Sequence, residues 1–339
     1  LYFAHILVKK NIYMLNNKSV LVTGGTGSFG KKFISEALKK YKKIKRLIIF
    51  SRDELKQSEM EKHFPKKKFN CIRYFIGDVR DEARIDVATR NVDIVIHAAA
   101  LKQVPATEYN PFECIKTNVL GAQNIINCAI KNKVNKVIAL STDKAVSPIN
   151  LYGASKLCAD KLFTSAQSYV GSNKTIFAVA RYGNVMNSRG SVIPLFLNQK
   201  KNNLLTITDK NMTRFNITLK DAVDMVFWTI KNSLGGEIFV PKIPSYKILD
   251  LAKAIGPGCK IKLIGVRPGE KIHEELITTN ESVNTLDLGK YFAILPTISE
   301  ISLSQYLKKK GGKQLPKNFS YNSGTNKYFL KVSEIKKLI

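Results

Sequence analysis

The chain has 339 residues, 44% of them hydrophobic, which is enough to bury the core of one large domain or of two unequal domains. It contains no run of about 18 uncharged apolar residues, so neither a membrane-spanning helix nor stable membrane insertion is expected. The five cysteines are scattered, without metal-ligand spacing or a disulfide framework, and predict reduced thiols in a cytoplasmic protein without a metal site.

The formal net charge of +29 would suit a nucleic-acid-binding protein. However, the lysines are spread along the whole chain, with short runs only at residues 66–68 and 308–310, and no arginine-rich helix or RNA-binding motif accompanies them. We therefore interpret the charge as a solvated, lysine-biased surface whose positive field attracts an anionic substrate or cofactor. No nucleic-acid partner is expected.

The first 13 residues lack the positively charged start of a secretory signal, and Met14 opens the predicted folded part. We expect residues 1–13 to be an upstream or added extension. Beyond them, the first half of the chain alternates short β-branched runs with longer helical stretches. Six strands are predicted, at residues 19–23, 46–50, 72–76, 94–97, 136–141 and 176–181. Near-continuous apolar runs of this kind are typical of parallel strands that are buried on both faces.

Periodic segments at residues 31–40 and 121–132 fit helices that connect these strands. The pattern predicts an α/β fold with a Rossmann-type, doubly wound parallel sheet. The regularity ends after about Asn184, although a helix is predicted around residues 221–232. We expect a nucleotide-binding domain at 14–183, to which 217–242 return. Residues 184–216 and 243–339 are expected to form a smaller C-terminal substrate-binding region.

The first predicted strand runs into "VTGGTGSFGKK", which contains the triplet Gly24-x-x-Gly27-x-x-Gly30. Such glycines allow a tight turn, a close approach of the backbone to a pyrophosphate and close helix packing. The N-terminus of the following helix supplies amide donors to the phosphates. The motif therefore predicts a dinucleotide site. The residues expected to form it here are Gly24, Thr26, Gly27, Ser28, Phe29 and Gly30.

The end of the second predicted strand bears on the choice between NAD and NADP. An NAD site commonly places a carboxylate there, whereas this chain has Ser51 and Arg52, with Lys56 a turn later. Two cations match a 2′-phosphate, so NADP is favoured, while Asp53 keeps NAD possible.

Two further strand ends are expected to contact the same cofactor. Asp78 and Val79 follow the third strand and are placed to meet the adenine. Ala98 follows the fourth strand, where the backbone would pass close to the ribose. His97, inside that apolar strand, is interpreted as a core histidine rather than a catalyst.

The stretch "LSTDKAVSPINLYGASK" contains the catalytic candidates. Tyr152 and Lys156 are four residues apart and share one face of a predicted helix. The lysine ammonium can lower the pKa of the tyrosine and also bind the nicotinamide ribose. Thr142, at the end of the fifth strand, can complete a hydroxyl–tyrosine–lysine set of the kind that oxidises alcohols.

Longer blocks carry a resemblance to a known family. They include "TGGTGSFG", "SRDELKQ", "HAAALKQVPATEYNP", "STDKAVSPINLYGASK", "RYGNVMNSRGSVIP", "MTRFNITL" and "RPGEKIHEELI". In these blocks the chain resembles the extended short-chain dehydrogenase/reductases. Among them it is most similar to the inverting UDP-N-acetylglucosamine 4,6-dehydratases that begin pseudaminic acid synthesis. One departure is "VMNS" at residues 185–188, where smaller residues are expected after the valine.

The resemblance implies a role for the adjacent Asp143 and Lys144. Dehydratases of this kind oxidise the sugar C4 hydroxyl, eliminate water across C5 and C6, and return the hydride to C6. Elimination needs a base at C5 and an acid for the departing hydroxyl. The resemblance implies Lys144 as the base and Asp143 as the acid, with protonation from the opposite face inverting C5. A lysine is an effective base only if burial or a nearby cation lowers its pKa from about 10.4, so such surroundings are expected.

The remaining site residues also follow from the resemblance. Lys102 is expected to reach both substrate and cofactor, and Val185 the cofactor. Expected contacts to the nucleotide sugar are Asn184, Arg189, Gly190, Ser191, Val192, Ile193, Arg267 and Glu270. The resemblance implies UDP-N-acetylglucosamine as the substrate and a homo-oligomer, such as a hexamer, as the assembly.

Two other readings stay open. One is another nucleotide-sugar enzyme, either a UDP-sugar 4-epimerase or a capsule-type dehydratase/5-epimerase. Asp143 and Lys144 argue against the epimerase, because epimerisation needs no elimination. The other is a non-catalytic NADP-binding or nucleic-acid-associated protein, against which the intact Thr142, Tyr152 and Lys156 argue.

Overall fold

A computed structural model describes residues 14–186, 191–298 and 302–339 of the chain. The predicted extension at residues 1–13 lies outside the described residues. The strands are β1 (Ser19–Thr23), β2 (Arg46–Ser51), β3 (Ile72–Ile76), β4 (Ile94–His97), β5 (Lys136–Thr142), β6 (Ile176–Tyr182), β7 (Asn184–Val185), β8 (Leu204–Ile207), β9 (Thr213–Ile217), β10 (Ile238–Pro241), β11 (Ser245–Lys247), β12 (Lys260–Leu263), β13 (Glu275–Ile277), β14 (Thr285–Asp287), β15 (Tyr291–Ile294), β16 (Lys313–Gln314) and β17 (Tyr321–Asn322).

The α-helices are α1 (Ser28–Lys40), α2 (Glu54–His63), α3 (Glu82–Thr89), α4 (Val104–Tyr109), α5 (Pro111–Ile115), α6 (Gly121–Lys131), α7 (Leu151–Ala166), α8 (Val192–Gln199), α9 (Leu219–Asn232), α10 (Ile248–Ile255), α11 (Thr279–Ser282), α12 (Leu303–Lys310) and α13 (Val332–Leu338). A π-helical turn at Lys116–Leu120 joins α5 to α6, and short 3₁₀ turns cover Asp143–Ala145, Gln167–Tyr169 and Lys200–Asn202. Within the described residues, no helix combines the length and the apolar character that crossing a bilayer requires.

The main sheet has ten strands in the order β16-β14-β15-β10-β6-β5-β4-β1-β2-β3. The seven strands from β10 to β3 in this order pair in parallel. The prediction of a Rossmann-type parallel sheet is therefore confirmed. All six predicted strands are present, and β2, β5 and β6 each extend one residue beyond their predicted end.

The central strands of the main sheet, such as β1 and β4, are buried along their whole length, and their successive side chains point to opposite faces of the sheet. Val20 and Val22 of β1 pack into one apolar cluster with residues of α1 and α9, whereas Leu21 packs into a second cluster with residues of α6. This double burial explains why the parallel strands appear in the sequence as continuous apolar runs.

The structure differs from the predicted domain division in one respect. The antiparallel strands β14, β15 and β16 extend the main sheet beyond β10, although they lie within residues 243–339. The other strands of the later part form small separate sheets, β11-β9-β7, β12-β8 and β13-β17. A third apolar cluster underlies β8 and β11 and includes Phe196, Leu205 and Leu251, whereas Leu276 and Ile277 of β13 pack into the second cluster of the main sheet. This smaller unit lies across the cavity from the ends of the parallel strands.

Candidate active site

A cavity of about 1310 Å³ lies at the carboxyl ends of the parallel strands. Residues that follow β1, β2, β4 and β5 line one side, and residues from β7, α8, β9 and the segment before β13 line the other. In open α/β sheets, ligands bind at this edge. The cavity is large enough for a dinucleotide and a nucleotide sugar together.

The glycine loop between β1 and α1 has the shape that a pyrophosphate needs. Gly24 has a φ of +64°, and a Cβ there would lie 2.9 Å from the backbone nitrogen of Ala99, so glycine is required. A Cβ on Gly30 would overlap the carbonyl group of Gly25. The N-cap of α1 is Gly27, which supplies no side-chain hydrogen bond to the first-turn amides. These amides therefore remain available to phosphate oxygens, and the predicted loop residues Thr26, Ser28 and Phe29 also line the cavity.

The end of β2 presents two cations and a carboxylate to the same cavity. Asp53 caps α2, since its side chain accepts a hydrogen bond from the backbone nitrogen of Lys56 at 2.9 Å, and it also contacts the Lys56 ammonium. The Arg52 guanidinium lies 3.7 Å from Asp78 and its side chain is 56% exposed. Ser51 shares a 2.8 Å hydrogen bond with Thr26. Asp53 thus caps α2 and pairs with Lys56, Arg52 lies beside Asp78, and all three residues at the end of β2 line the cavity.

The other predicted cofactor contacts also line the cavity. They are Asp78, Val79, Ala98, Lys102 and Val185. Burial lowers the pKa of Lys102, and the charge of Lys144 lowers it further. His97 is buried and shares a 2.9 Å hydrogen bond with Thr23, which agrees with its interpretation as a core residue.

Helix α7 brings Tyr152 and Lys156 into the cavity beside Thr142. Burial raises the pKa of Tyr152 to about 12, although the charge of Lys144 and a hydrogen bond with Thr142 oppose this rise. Burial lowers the pKa of Lys156, opposed by the charge of Asp160 one turn along the helix. The hydroxyl–tyrosine–lysine arrangement that the sequence predicts is therefore assembled in one place.

Asp143 and Lys144 lie in the 3₁₀ turn directly after β5. The Thr142 hydroxyl donates to Asp143 Oδ1 at 2.9 Å, and the same oxygen accepts from Lys144 Nζ at 3.1 Å. The Lys144 amine also lies 3.1 Å from Asn184 Oδ1 and 3.2 Å from Glu274 Oε1. Asp143 is fully buried, and its second oxygen accepts no hydrogen bond from any residue that the structure describes.

This arrangement changes the protonation expected of the pair. Burial raises the pKa of the Asp143 carboxyl, more than the charge of Lys144 lowers it. Burial lowers the pKa of Lys144, but the negative charges of Asp143 and Glu274 outweigh burial and raise it above its ordinary value. The expectation that the surroundings lower the pKa of Lys144 is therefore wrong. Two negative charges, Asp143 and Glu274, lie beside the amine, and the sequence alone does not show the contact with Glu274.

The predicted substrate residues that the structure describes lie on the other side of the cavity. They are Asn184, Ser191, Val192, Ile193, Arg267 and Glu270. Two others, Arg189 and Gly190, lie outside the described residues. Glu270 accepts from the Arg214 guanidinium at 3.4 Å, and the buried hydroxyl of Ser191 has no hydrogen-bond partner among the described residues.

Arg214 and Glu274 are among the charged residues of the cavity that the sequence-based reasoning missed. Arg214 is buried in β9 and lies 3.4 Å from Glu270 and 3.7 Å from Glu274. Arg214 is the charged residue of the strand "TRFNI", which is buried along its whole length. Glu274 is one of two adjacent glutamates, and nothing in the sequence distinguishes the buried one from its neighbour.

The glycine loop, the parallel sheet and the Thr142–Tyr152–Lys156 set define an extended short-chain dehydrogenase/reductase. The sequence model of the family described as "Polysaccharide biosynthesis protein" matches residues 20–296, and the chain belongs to that family.

Relatives agree with this membership. A UDP-N-acetylglucosamine 4,6-dehydratase (inverting) from Campylobacter jejuni (strain 81-176) is 50% identical over 96% of this chain and 98% of its own length. The resemblance to inverting dehydratases is thereby confirmed. A UDP-glucose 4-epimerase from Rickettsia akari is 45% identical over 96% of both chains. The crystal structure of Pen from Bacillus thuringiensis superposes with a TM-score of 0.86, at 40% identity and with 96% and 98% of the two chains covered.

Proposed function

We propose that this protein is an NADP-dependent hydro-lyase that dehydrates UDP-N-acetylglucosamine with inversion at C5. The product would be UDP-2-acetamido-2,6-dideoxy-β-L-arabino-hex-4-ulose, and the reaction would be the first step of pseudaminic acid synthesis for flagellin or surface glycans. The observation that carries the proposal is the contact of the buried Asp143 with the partly buried Lys144, beside Thr142, Tyr152 and Lys156. The name of the Campylobacter relative supports the same reaction.

The first group of residues serves the oxidation at C4. A nicotinamide dinucleotide held by the glycine loop at Gly24, Gly27 and Gly30 would supply the acceptor, and later the donor, of the hydride. Tyr152 removes the C4 hydroxyl proton, aided by the nearby positive charge of Lys144 and by the Thr142 hydrogen bond, both of which favour the tyrosinate. Lys156, on the same face of α7, orients the ribose. NADP is the preferred form, because Arg52 and Lys56 face the cavity while Asp53 is held by the cap of α2.

The second group serves the elimination across C5 and C6. Lys144 takes the C5 proton, the electron pair left on C5 forms the C5–C6 double bond, and the hydroxyl at C6 leaves with a proton from Asp143. This requires a neutral amine and a protonated carboxyl. A proton passed from Lys144 to Asp143 across their 3.1 Å contact creates both at once, without changing the net charge of the buried pair. Burial of Asp143 favours this neutral form.

The nucleotide sugar is bound by residues on the side of the cavity that lies opposite the glycine loop. Arg267 can bind the diphosphate, and Asn184, Ser191 and Glu270 offer polar groups to the sugar and uridine. We further propose that the protein acts in the cytoplasm as a homo-oligomer, in line with the family resemblance.

A second candidate is a UDP-sugar 4-epimerase, which the names of the Rickettsia relatives favour. Both activities begin with oxidation at C4. They differ afterwards, because an epimerase returns the hydride to C4 and has no use for an acid and a base at C5 and C6.

The test is an NMR analysis of the product formed from UDP-N-acetylglucosamine without added cofactor. A 4-keto-6-deoxy sugar with L-arabino configuration is expected. A 4-keto-6-deoxy sugar with unchanged C5 configuration would contradict inversion. Conversion to the C4 epimer would replace the dehydratase by the epimerase, and an unchanged sugar would leave the non-catalytic alternative.

A further inference from the structure

Glu274 is a buried carboxylate on the far wall of the cavity that the proposed reaction does not yet use. It lies immediately before β13, and its side chain is 3% exposed. One oxygen, Oε1, is 3.2 Å from Lys144 Nζ and 3.7 Å from Arg214 Nε. The other oxygen, Oε2, is buried and accepts no hydrogen bond from the residues that the structure describes.

The backbone holds this carboxylate firmly in position. The backbone nitrogen of Glu274 donates to the Ser323 hydroxyl, and the backbone nitrogen of Ser323 donates to the Glu274 carbonyl oxygen, both at 2.8 Å. The Ser323 hydroxyl also contacts the hydroxyl of Thr213 in β9 at 2.8 Å. Three chain segments thus fix the position of Glu274 relative to Lys144, which follows β5 of the main sheet.

The charges around Glu274 keep it ionised. Burial alone raises the pKa of Glu274, but the positive charges of Lys144, Arg214 and Lys271 outweigh burial and lower it. Asp143 behaves in the opposite way, since burial raises its pKa. Of the two carboxylates in contact with Lys144, Asp143 is therefore the proton carrier and Glu274 the permanent negative charge.

We propose that Glu274 is a positioning residue for Lys144, holding its amine towards the substrate and stabilising the ammonium that forms when the C5 proton is taken. The inference rests on the proposed dehydration. At the moment of proton abstraction Asp143 must still carry the proton that it gives to the departing hydroxyl. Glu274 then supplies the negative charge for the new ammonium.

The pH dependence of the step follows from the groups around the pair. The charged and titratable groups that face Lys144 or Glu274 are Asp143, Arg214, Tyr152, Lys102, Lys271 and Tyr246. The rate rises with pH as the doubly protonated Asp143–Lys144 pair loses one proton, because the remaining proton can then reside on Asp143 and leave Lys144 neutral. Because Glu274 favours the ammonium, a neutral residue at position 274 makes Lys144 easier to deprotonate and also a weaker base.

The decisive measurement is the rate of solvent deuterium incorporation at C5 as a function of pH. In Glu274→Gln the rising limb is expected to move down by about one to three pH units, the usual effect of losing one opposite charge at this distance. The maximal rate is expected to fall, while oxidation at C4 remains. Glu274→Asp keeps the carboxylate but moves it further from Lys144, because the aspartate side chain is shorter. The rising part of its rate–pH curve should therefore lie between those of the native enzyme and Glu274→Gln.

Glu275→Gln is the matched control, because it is the same chemical change at the next residue. Glu275 is partly exposed and contacts the Ser147 hydroxyl at 3.5 Å rather than Lys144. Its limb is expected to coincide with that of the native enzyme. An equal shift in Glu275→Gln would show a general charge effect and overturn the role of Glu274.

The outcomes separate this inference from the proposed function. If native protein forms no dehydrated sugar, the proposed function fails, and the inference fails with it. The inference alone is overturned if native protein dehydrates the sugar but the rate–pH curve of Glu274→Gln rises at the native pH. Glu274 then has only a structural role, even if the rate of that variant is reduced. If Glu274→Gln does not fold, Glu274→Asp decides in the same way, since a limb at the native position contradicts the proposal.

Discussion

Lys144 poses the central chemical question at the scale of single residues, because a lysine must be neutral to act as a base. The contacts with Asp143 and Glu274 stabilise its ammonium form and raise its pKa. Once that proton has moved to Asp143, the contact with the ionised Glu274 keeps the amine a strong base. These contacts therefore lower the fraction of enzyme in which Lys144 is neutral, but the contact with Glu274 raises the basicity of the neutral amine. Both effects should be visible in the rate of the elimination step.

Replacing Lys144 by alanine should separate oxidation from elimination. Tyr152 and Lys156 remain, so the C4 hydroxyl can still be oxidised, but no amine takes the C5 proton. Reduced nicotinamide should accumulate to the amount of enzyme present, and deuterium should enter C5 at least about 10²-fold more slowly, the lower range for a general base. Absorbance of the reduced cofactor and NMR of the sugar measure the two effects.

Tyr152→Phe is the control for this experiment, since it should block the earlier step and leave the cofactor oxidised. Native rates of C5 exchange and dehydration in Lys144→Ala would remove this lysine from the mechanism and leave it as a charge in the turn after β5.

A second residue-scale prediction concerns Arg52 and the 2′-phosphate. Arg52→Asp places a carboxylate where a cation is proposed to bind that phosphate, so affinity for NADP should fall while affinity for NAD is retained or rises. Calorimetric titration of cofactor-free protein with each dinucleotide measures the preference directly. An unchanged ratio of the two dissociation constants would contradict this placement. Lys31→Asp, a charge change elsewhere on the cavity wall, is the comparison for general electrostatic effects.

At the scale of secondary-structure elements, the lengths and ends of the strands explain what the sequence could and could not predict. Buried parallel strands appear in the sequence as apolar runs, and candidate catalytic residues follow directly after such runs. The sequence therefore predicts Thr142 and Asp143. Strands β14 and β16 are only three and two residues long and leave no such pattern. Glu274 reaches Lys144 because segments that are far apart in the sequence pack together. The residues around Glu274 show no helical or strand pattern, so the sequence alone does not reveal this contact.

The start of helix α7 links the catalytic helix to the substrate side of the cavity. Asn150 caps α7, since its side-chain oxygen accepts from the backbone nitrogen of Gly153 at 2.8 Å. Its amide nitrogen donates to the carbonyl oxygen of Gly269, also at 2.8 Å, within the segment that contains Arg267 and Glu270. One side chain therefore stabilises the helix and fixes the position of the loop proposed to bind the diphosphate.

Asn150→Ala should consequently have two separable effects. Loss of the cap should lower the free energy of unfolding by about 0.5–2 kcal/mol, and release of the loop should raise the KM for the UDP-sugar. Asp81→Ala is the matched control, because Asp81 caps α3 in the same way, accepting from Arg84 at 2.9 Å away from the cavity. It should lower stability similarly without changing KM. If both variants change KM equally, the link between Asn150 and Gly269 has no role in substrate binding.

At the scale of the whole molecule, the main sheet lies on the proposed cofactor side of the cavity between two apolar clusters, and a third apolar cluster supports the other side. Positively charged side chains from both parts line the cavity between them, including those of Lys102, Lys144, Arg214 and Arg267. The formal net charge of +29 adds a long-range field of the same sign. Substrate and cofactor both carry phosphates, so this surface charge favours their approach without a nucleic-acid function.

The last prediction tests this role of the overall charge through its sensitivity to salt. Raising the ionic strength from roughly 0.05 M to roughly 0.5 M shortens the screening length from about 14 Å to about 4 Å, so the long-range attraction largely disappears. The KM for the UDP-sugar should rise severalfold, whereas kcat should change little, because the buried contacts of Lys144 are screened much less. Inhibition by UDP should weaken in parallel, whereas inhibition by uncharged uridine should not. If salt weakens uridine and UDP equally, the effect is not electrostatic attraction of phosphate, and the surface charge has no part in substrate capture. Binding of single-stranded DNA that competes with UDP and falls steeply with salt would instead favour the nucleic-acid alternative.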